Sequence, residues 1–385
     1  MKSPLSTTAE QRLHQIELAR QAVIDEGRSL ADTLADTWFE RGWIERSWRR
    51  CLDNGQRPGD RVAFDMIPAA AARRTLEANH PLIHAARPVL DKLGRAIANT
   101  RYFAILTDAE GVVIDVNGPI DHSDPRAHMI ARVGVDLSER SVGTAAISAA
   151  LNEQHPVWLH RGEHFFSDTA VYSCAGSPLF GPDGRCVGML DLTGIETAER
   201  PELKHLVAQS ARSIENALTL SRPHTLLVRL NWPGRNLGDE TDGLVCLDSD
   251  GWITGANQTA RQMVPQLGKA GSGQAPHISE LLAVPHESLF DAARRNVFGD
   301  APPLEIPLWS GLRLHGMALV PGKPDGPSAR RHNASGVENR PLKDVEIALI
   351  RRAVDDARGN VMLAAQTLGI SRATVYRKLG NKGGK

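Results

Sequence analysis

The chain has 385 residues, with 45 Lys/Arg against 45 Asp/Glu for a formal charge of zero, and 41% of its residues are hydrophobic. That length suits two or three domains with packed cores and excludes wholesale disorder; no apolar run reaches the roughly 18–20 residues of a membrane span. The opening "MKSPLSTTAEQRLHQ" has no signal-peptide core, so a cytoplasmic protein is expected, and the four separated cysteines, Cys51, Cys174, Cys186 and Cys246, form neither a disulfide framework nor a zinc site.

Residues 1–100 predict a helical N-terminal region. In "WIERSWRRCLDNGQRP", Ile44, Trp48 and Cys51 share one helical face, while Arg46, Arg49 and Arg50 point elsewhere. This is a helix packed through its Trp. Ile44, Ser47-Trp48, Arg50-Cys51, Gly55 and Pro58 also resemble the N-terminus of the acetoin- and glycerol-metabolism regulators.

From Tyr102 the pattern changes to strands. "YFAILTDAEGVVIDV" is two β-rich runs about a Gly turn, and "AGSPLFGPDGRCVGMLDLTG" repeats the device around Pro182-Asp183-Gly184. Between them, Gly143-Thr144 followed by Ala145, Ile147, Ala150 and Leu151 predicts a short helix leading into a strand at "PVWLH". His155, His160 and His164 raise a metal reading, but they lack a clear ligand geometry and supporting carboxylates or thiolates, so no metal is expected. Residues 101–221 resemble the GAF sensory domain of the acetoin-regulator group through Gly143-Thr144, Ala146-Ile147, Gly162 to Phe165, Ser173-Cys174, Pro178-Leu179, Asp183-Gly184 and Leu190 to Gly194. Ala145 stands where that group usually has Asn, so a role for that side chain does not carry over. The resemblance implies an antiparallel sheet flanked by helices, with Glu163, His164 and Cys174 as candidate walls of an effector pocket. Some GAF domains reduce methionine sulfoxide through clustered cysteines; here Cys186 lies in an apolar strand, where packing is the expected role.

"ELKHLVAQSARSIENALTL" is amphipathic, with Leu203, Val207, Ser210, Ile214 and Ala217 spaced alternately by four and three. Such a seam either pairs with a second copy or covers its own sheet. "GLVCLDSDGWITGANQTARQMV" then places a strand, an Asp-Gly turn, a strand and a helix starting at Ala256-Asn257. With "ISELLAV", "PPLEIPLW" and "LRLHGMALV" it resembles a PAS domain over residues 224–320, in which Trp252 and Trp309 are expected in the core. Residues 321–340, "PGKPDGPSARRHNASGVENR", have little to bury and read as a flexible linker.

Residues 341–385 hold nine Lys/Arg against four Asp/Glu, a local excess of five positive charges. Asn360 caps a first helix with Ala364, Ala365 and Leu368 on its apolar face, and Gly369 supplies the turn. Ile370 follows, buried; Ser371 caps a second helix whose inner side is Val375 and Leu379. Ser371, Arg372, Thr374, Tyr376, Arg377 and Lys378 are left at its start and on its outer surfaces as candidate DNA-binding residues, the layout of a helix-turn-helix. Gly359-Asn360, Ala364-Ala365, Leu368 to Arg372 and Thr374 to Leu379 resemble the C-terminal domain of Fis and of the sigma-54-dependent regulators. In that group the preceding helix, here with Leu342, Val345, Leu349, Ala353 and Val354 at helical spacing, takes part in dimerisation.

Those regulators carry a central ATPase domain, yet the chain has no GxxxxGK[ST] loop to cradle phosphates. The expected fold is therefore α+β multidomain: helical N-terminal region, GAF domain, PAS-like domain and an all-α helix-turn-helix. The expected function is that of a non-enzymatic, homodimeric transcriptional regulator without a cofactor. It would bind double-stranded DNA and a small-molecule effector, with RNA polymerase or an ATPase-bearing paralogue as a further partner. The alternatives are a Fis-like architectural protein or a GAF-type redox enzyme.

Overall fold

The computed structural model describes residues 4–30, 41–269, 276–295 and 302–321, together with Val361, Met362, Ala365 and Arg372. The chain divides into two units, Met1–Pro321 and Gly322–Lys385. In the second unit, Val361, Met362, Ala365 and Arg372 are helical, with Ala365 buried and Arg372 exposed. The rest of the predicted helix-turn-helix, including Ser371, Thr374, Tyr376, Arg377 and Lys378, lies outside the described residues.

The first unit begins with helices. α1 (Pro4–Arg20) runs into one π-helical turn, Gln21–Asp25. α2 (Gly42–Asp53) buries Ile44, Trp48 and Cys51 completely, as the helical spacing predicted. α3 (Ala69–Ala78) and α4 (His80–Ala96) follow.

The first sheet contains β1 (Tyr102–Asp108), β2 (Val113–Asn117), β3 (Val157–His160), β4 (Tyr172–Phe180) and β5 (Cys186–Ile195). Their order is β2-β1-β5-β4-β3 and every neighbour is antiparallel. Side chains alternate between faces with period two. Tyr102, Ala104, Leu106, Leu190 and Leu192 pack on α4 and on α8 (Leu203–Leu220). Phe103, Ile105, Met189, Ile195 and Cys174 belong to the opposite core, with α2, α5 (Pro125–Ile130) and α7 (Ala146–Glu153), the two helices flanking α6 (Glu139–Val142). Thus α8 covers its own sheet; its buried seam uses Leu203, Val207, Ala211, Ile214 and Leu218, with Leu218 in the place expected for Ala217.

Two glycines let α7 sit close to the strands. A Cβ on Gly176 would stand 2.9 Å from the Ala146 carbonyl oxygen, so β4 needs Gly there for the helix start to approach. Gly143, at φ +63, turns the chain into α7, and a Cβ there would meet the Phe166 ring at 2.8 Å.

The second sheet contains β6 (Leu226–Asn231), β7 (Gly243–Leu247), β8 (Ile253–Ala256), β9 (Leu304–Pro307) and β10 (Arg313–Leu319). Its order is β8-β7-β6-β10-β9, again antiparallel throughout. β6, which the sequence pattern left unassigned, is the central strand. Asn257 caps α9 (Gln258–Met263), accepting from Ala260 N at 2.8 Å and Leu244 N at 2.9 Å while donating to Asp242 O at 2.9 Å. α10 (Gln266–Lys269), α11 (Ile278–Leu281) and α12 (His286–Arg295) complete the described helices.

The core of this sheet is aliphatic, built from Leu226, Val228, Leu230, Leu247, Leu289 and Leu314 among others. Trp252 and Trp309, expected in it, are 38% and 68% exposed. Trp252 follows a tight turn and meets His277 edge-on at 5.2 Å, and Trp309 directs its indole N–H to Ser279 O at 3.1 Å. Both rings lie at the surface, beside the turns of the β7–β8 and β9–β10 hairpins. Among the described residues no helix is long and apolar enough to cross a membrane.

Candidate functional site

Between α7 and the first sheet lies a cavity whose apolar wall includes Phe64, Ile130, Leu137, Val142, Ile147 and Tyr172. Five polar residues complete it: His164, Thr169, Cys174, Asp191 and Thr193. β4 presents Tyr172 and Cys174, and β5 presents Asp191 and Thr193, because alternate residues of a strand share a face. The space open to the centre of a water-sized sphere is about 20 Å³, slightly above what one water needs.

Two side-chain atoms on this wall are buried without a hydrogen-bond partner: His164 Nε2 and Asp191 Oδ1. Native interiors pair nearly all buried polar groups, and an unpaired one costs about 1–3 kcal/mol. Their tasks can be read from their other atoms. His164 Nδ1 lies 2.9 Å from Arg161 O, which can only accept, so Nδ1 carries the proton and Nε2 is a bare acceptor. Burial pushes the His164 pKa down to about 4, keeping the ring neutral. Burial pushes the Asp191 carboxyl up to about 7. Asp191 Oδ2 accepts from Thr193 Oγ1, and Cys174 Sγ lies 3.5 Å from Thr193 Oγ1. Oδ1 is thus left to donate when protonated and to accept when charged. Burial raises the Cys174 thiol well above its ordinary value, a tendency that the neighbouring Asp191 charge reinforces.

His164 reaches the cavity because its backbone is strapped from outside. The Arg20 guanidinium donates to Gly162 O at 2.9 Å, His164 O at 2.6 Å and Phe165 O at 2.9 Å. Trp48 Nε1 donates to Glu163 O at 2.9 Å, and Arg20 sits 5.6 Å from the centre of the Trp48 ring. Glu163, fully buried, accepts from the Arg12 and Arg41 guanidiniums and, at 2.7 Å, from His160 N. Charge-assisted bonds of this kind contribute about 1.5–3 kcal/mol each. Of the three pocket residues expected from sequence, His164 and Cys174 therefore stand on the wall. Glu163 does not; it ties the segment behind the wall to the N-terminal helices.

The other histidines are occupied elsewhere: His160 Nδ1 lies 2.7 Å from Ser173 Oγ, and His155 is exposed. Among the described residues no group of three or more His, Cys, Asp or Glu is arranged to hold a metal ion. Cys174 pairs with Thr193 while Cys186 pairs with Phe180, which separates the two sulfurs by roughly 20 Å at 3.3 Å per residue and rules out a disulfide between them. Cys186 is only half-buried. Asp191 is the site residue that sequence reading passed over. Its signal was present: one carboxylate inside the apolar strand "CVGMLDLTGI".

The family described as "MimR, N-terminal domain" matches residues 19–216, and "Bacterial regulatory protein, Fis family" matches residues 341–380. The acetoin catabolism regulatory protein of Cupriavidus necator is 29% identical over 266 residues, 67% of this chain and 39% of that protein. The acetoin dehydrogenase operon transcriptional activator of Bacillus subtilis is 24% identical, over 66% of this chain and 41% of its own length. The propane 2-monooxygenase operon transcriptional activator of Mycolicibacterium smegmatis is 27% identical, over 52% and 32%. The chain thus spans about two fifths or less of each of these relatives. A solved complex of Escherichia coli, DhaR(N)-DhaL, is similar at a TM-score of 0.43 and 15% identity, covering 73% of this chain and 99% of that one.

Proposed function

The chain belongs to the family described as MimR, N-terminal domain, and on that premise we propose that it is an effector-responsive transcriptional regulator. Residues 101–221 act as a GAF sensory domain, residues 224–320 as a PAS-like domain, 321–340 as the linker, and 341–385 as a Fis-type reader of double-stranded DNA. It works as a cytoplasmic homodimer, with RNA polymerase or an ATPase-bearing paralogue as a further partner. The Fis-family match over residues 341–380 supports the reader.

The observation that carries the sensing role is the pair of unpartnered atoms, His164 Nε2 and Asp191 Oδ1, in two residues of a buried, mostly apolar wall. Ligand sites combine such a wall with a few convergent polar groups. A bare acceptor and a carboxyl that donates in its protonated form suit a small uncharged molecule that donates to His164 and accepts from Asp191, such as a short alcohol, ketone or hydroxyketone. Against an architectural role stands this enclosed site, for which simple DNA bending has no use. Against redox chemistry stands the separation of Cys174 from Cys186.

Calorimetry of the full chain against short alcohols, diols, ketones and hydroxyketones tests this. A member of the set should bind, and either His164→Phe or Asp191→Leu should abolish binding while thermal unfolding stays cooperative. Binding that survives both changes would move sensing to residues 224–320. No binding by any member would remove the proposed ligand class.

A further inference from the structure

A second hollow of about 250 Å³ opens where β1 begins and β5 ends in the same sheet. Its rim includes the exposed Ala98, Asn99, Arg101 and Pro119, and its floor is Phe103, Ala127 and Ile195, all buried. The floor stands directly against the inner cavity. In β5, Asp191 and Thr193 line the cavity and Ile195, next on the same face, lines the hollow. Phe103 is the cross-strand neighbour of Thr193, and Tyr172 that of Ile195. In α5, Ala127 lies on the outer hollow and Ile130 on the inner cavity. The two linings share no residue: Phe103, Ala127 and Ile195 line the hollow, and their neighbours Thr193, Ile130 and Tyr172 line the cavity.

We infer that this hollow is the vestibule through which ligand reaches the enclosed cavity, with Phe103 and Ile195 as the gate. The inference rests on the reading of the inner cavity as a ligand site. The cavity is too small to admit a molecule of several heavy atoms unless some part of its wall moves. At His164, opening means breaking the three Arg20 bonds, the Trp48 bond and those to the Glu163 carboxylate. At Phe103 and Ile195 the outer groups are hydrocarbon side chains without polar atoms, and Ile130 on the inner side is hydrocarbon too, so opening there is mainly side-chain rotation. Tyr172 beside them adds a single bond, from its hydroxyl to Arg126 O at 3.2 Å. The gate side is therefore the easier to open.

Cys174 on the inner wall reports the route without any knowledge of the ligand. Full-length protein is treated with methyl methanethiosulfonate, whose sulfur is attacked by the thiolate with loss of methanesulfinate, and labelling of each cysteine is followed by mass spectrometry. Phe103→Ala should speed labelling of Cys174 about tenfold, the factor that about 1.4 kcal/mol off the opening cost supplies. Cys246, fully buried in the second sheet, reports global unfolding and should not change. Ala98→Trp, at an exposed rim position, should slow Cys174 several-fold. If Phe103→Ala speeds Cys174 and Cys246 equally, Ala98→Trp decides: slower Cys174 labelling supports the vestibule, and an unchanged rate overturns it. The proposal is also overturned if Arg20→Ala, which loosens the strap, speeds Cys174 while Phe103→Ala does not. Failure of the ligand screen leaves this labelling result standing, so the two readings fail separately.

Discussion

Asp191 shows how far a buried group departs from its behaviour in an unfolded chain. Burial raises its pKa from 3.8 to about 7, so the folded state holds the proton more tightly than the unfolded one. Its contribution to stability is complete below about pH 4 and is lost as pH rises through about 7. His160 and His164, both pushed down to about 4, act oppositely, since their contribution is present above pH 6.5 and lost as pH falls through about 4. Asp191→Asn keeps the neutral shape but cannot titrate. The variant should therefore gain stability relative to the parent between pH 4 and 7 and level off above that. The gain is at most about 4 kcal/mol, from a shift of about three units at 1.36 kcal/mol each. Urea unfolding of both proteins at pH 4, 5.5, 7 and 8.5 measures the difference, in which the histidine contributions cancel; a flat difference would show that Asp191 is not held neutral. At this scale the sequence was only partly legible. His164 and Cys174 were singled out by a family pattern, but an unpaired atom can be recognised only when its neighbours are known.

At the scale of elements, the strap joins what the chain separates. Arg12 and Arg20 on α1, Arg41 just before α2 and Trp48 on α2 all converge on Gly162 to Phe165. Glu163 has no exposed side-chain surface, while Arg12 and Arg41 retain 18% and 21%. Glu163→Ala removes the acceptor shared by two guanidiniums and the His160 N–H. A fully buried pair broken this way costs about 3–5 kcal/mol; the partial exposure of the arginines brings the expectation to about 2–3 kcal/mol. The urea midpoint should fall accordingly, and hydrogen exchange should quicken at residues 161–165. A loss under about 0.5 kcal/mol, the size of an ordinary surface change, would mean that the strap is incidental to stability. α2 itself was visible beforehand, because Ile44, Trp48 and Cys51 repeat at helical spacing. β6 was not, because a short, mostly apolar stretch such as "LLVRLN" suits a buried strand or a helix end equally.

For the whole molecule, sensing is useful only if it reaches DNA, and the proposed reader divides its work along one helix. Arg372 is helical and exposed; on the proposed reading it follows the cap Ser371 and lies in the turn that reads base edges. Arg372→Ala should cost about 1–3 kcal/mol on the specific site and relax preference at one position in each half-site. On the proposed reading, Lys378, Lys382 and Lys385 contact phosphate. Lys378→Ala should weaken all sequences alike and make the salt dependence shallower by about one unit. Titrations over a range of salt with selected and scrambled duplexes separate these outcomes, and an equal loss on both duplexes for Arg372→Ala would displace the base-reading face. In a dimer the half-sites should lie roughly 34–36 Å apart.

What the sequence determined by itself was local. Apolar runs around Glu-Gly, Pro-Asp-Gly and Asp-Gly turns specify the hairpins β1–β2, β4–β5 and β7–β8, because period two and turn chemistry are properties of neighbouring residues. Asn257 announces the start of α9 for the same reason, and the pattern from Gly359 to Leu379 identifies the Fis-type segment by its residues alone. Tertiary structure decided whatever depends on which distant segments meet. It brought His164 and Asp191 to one wall, turned Glu163 to Arg12 and Arg41 and away from the cavity, and left Trp252 and Trp309 at the surface. It also laid α8 on its own sheet with Leu218 inward. Burial and pairing belong to the environment that other parts of the chain create, and no stretch of sequence contains that environment by itself.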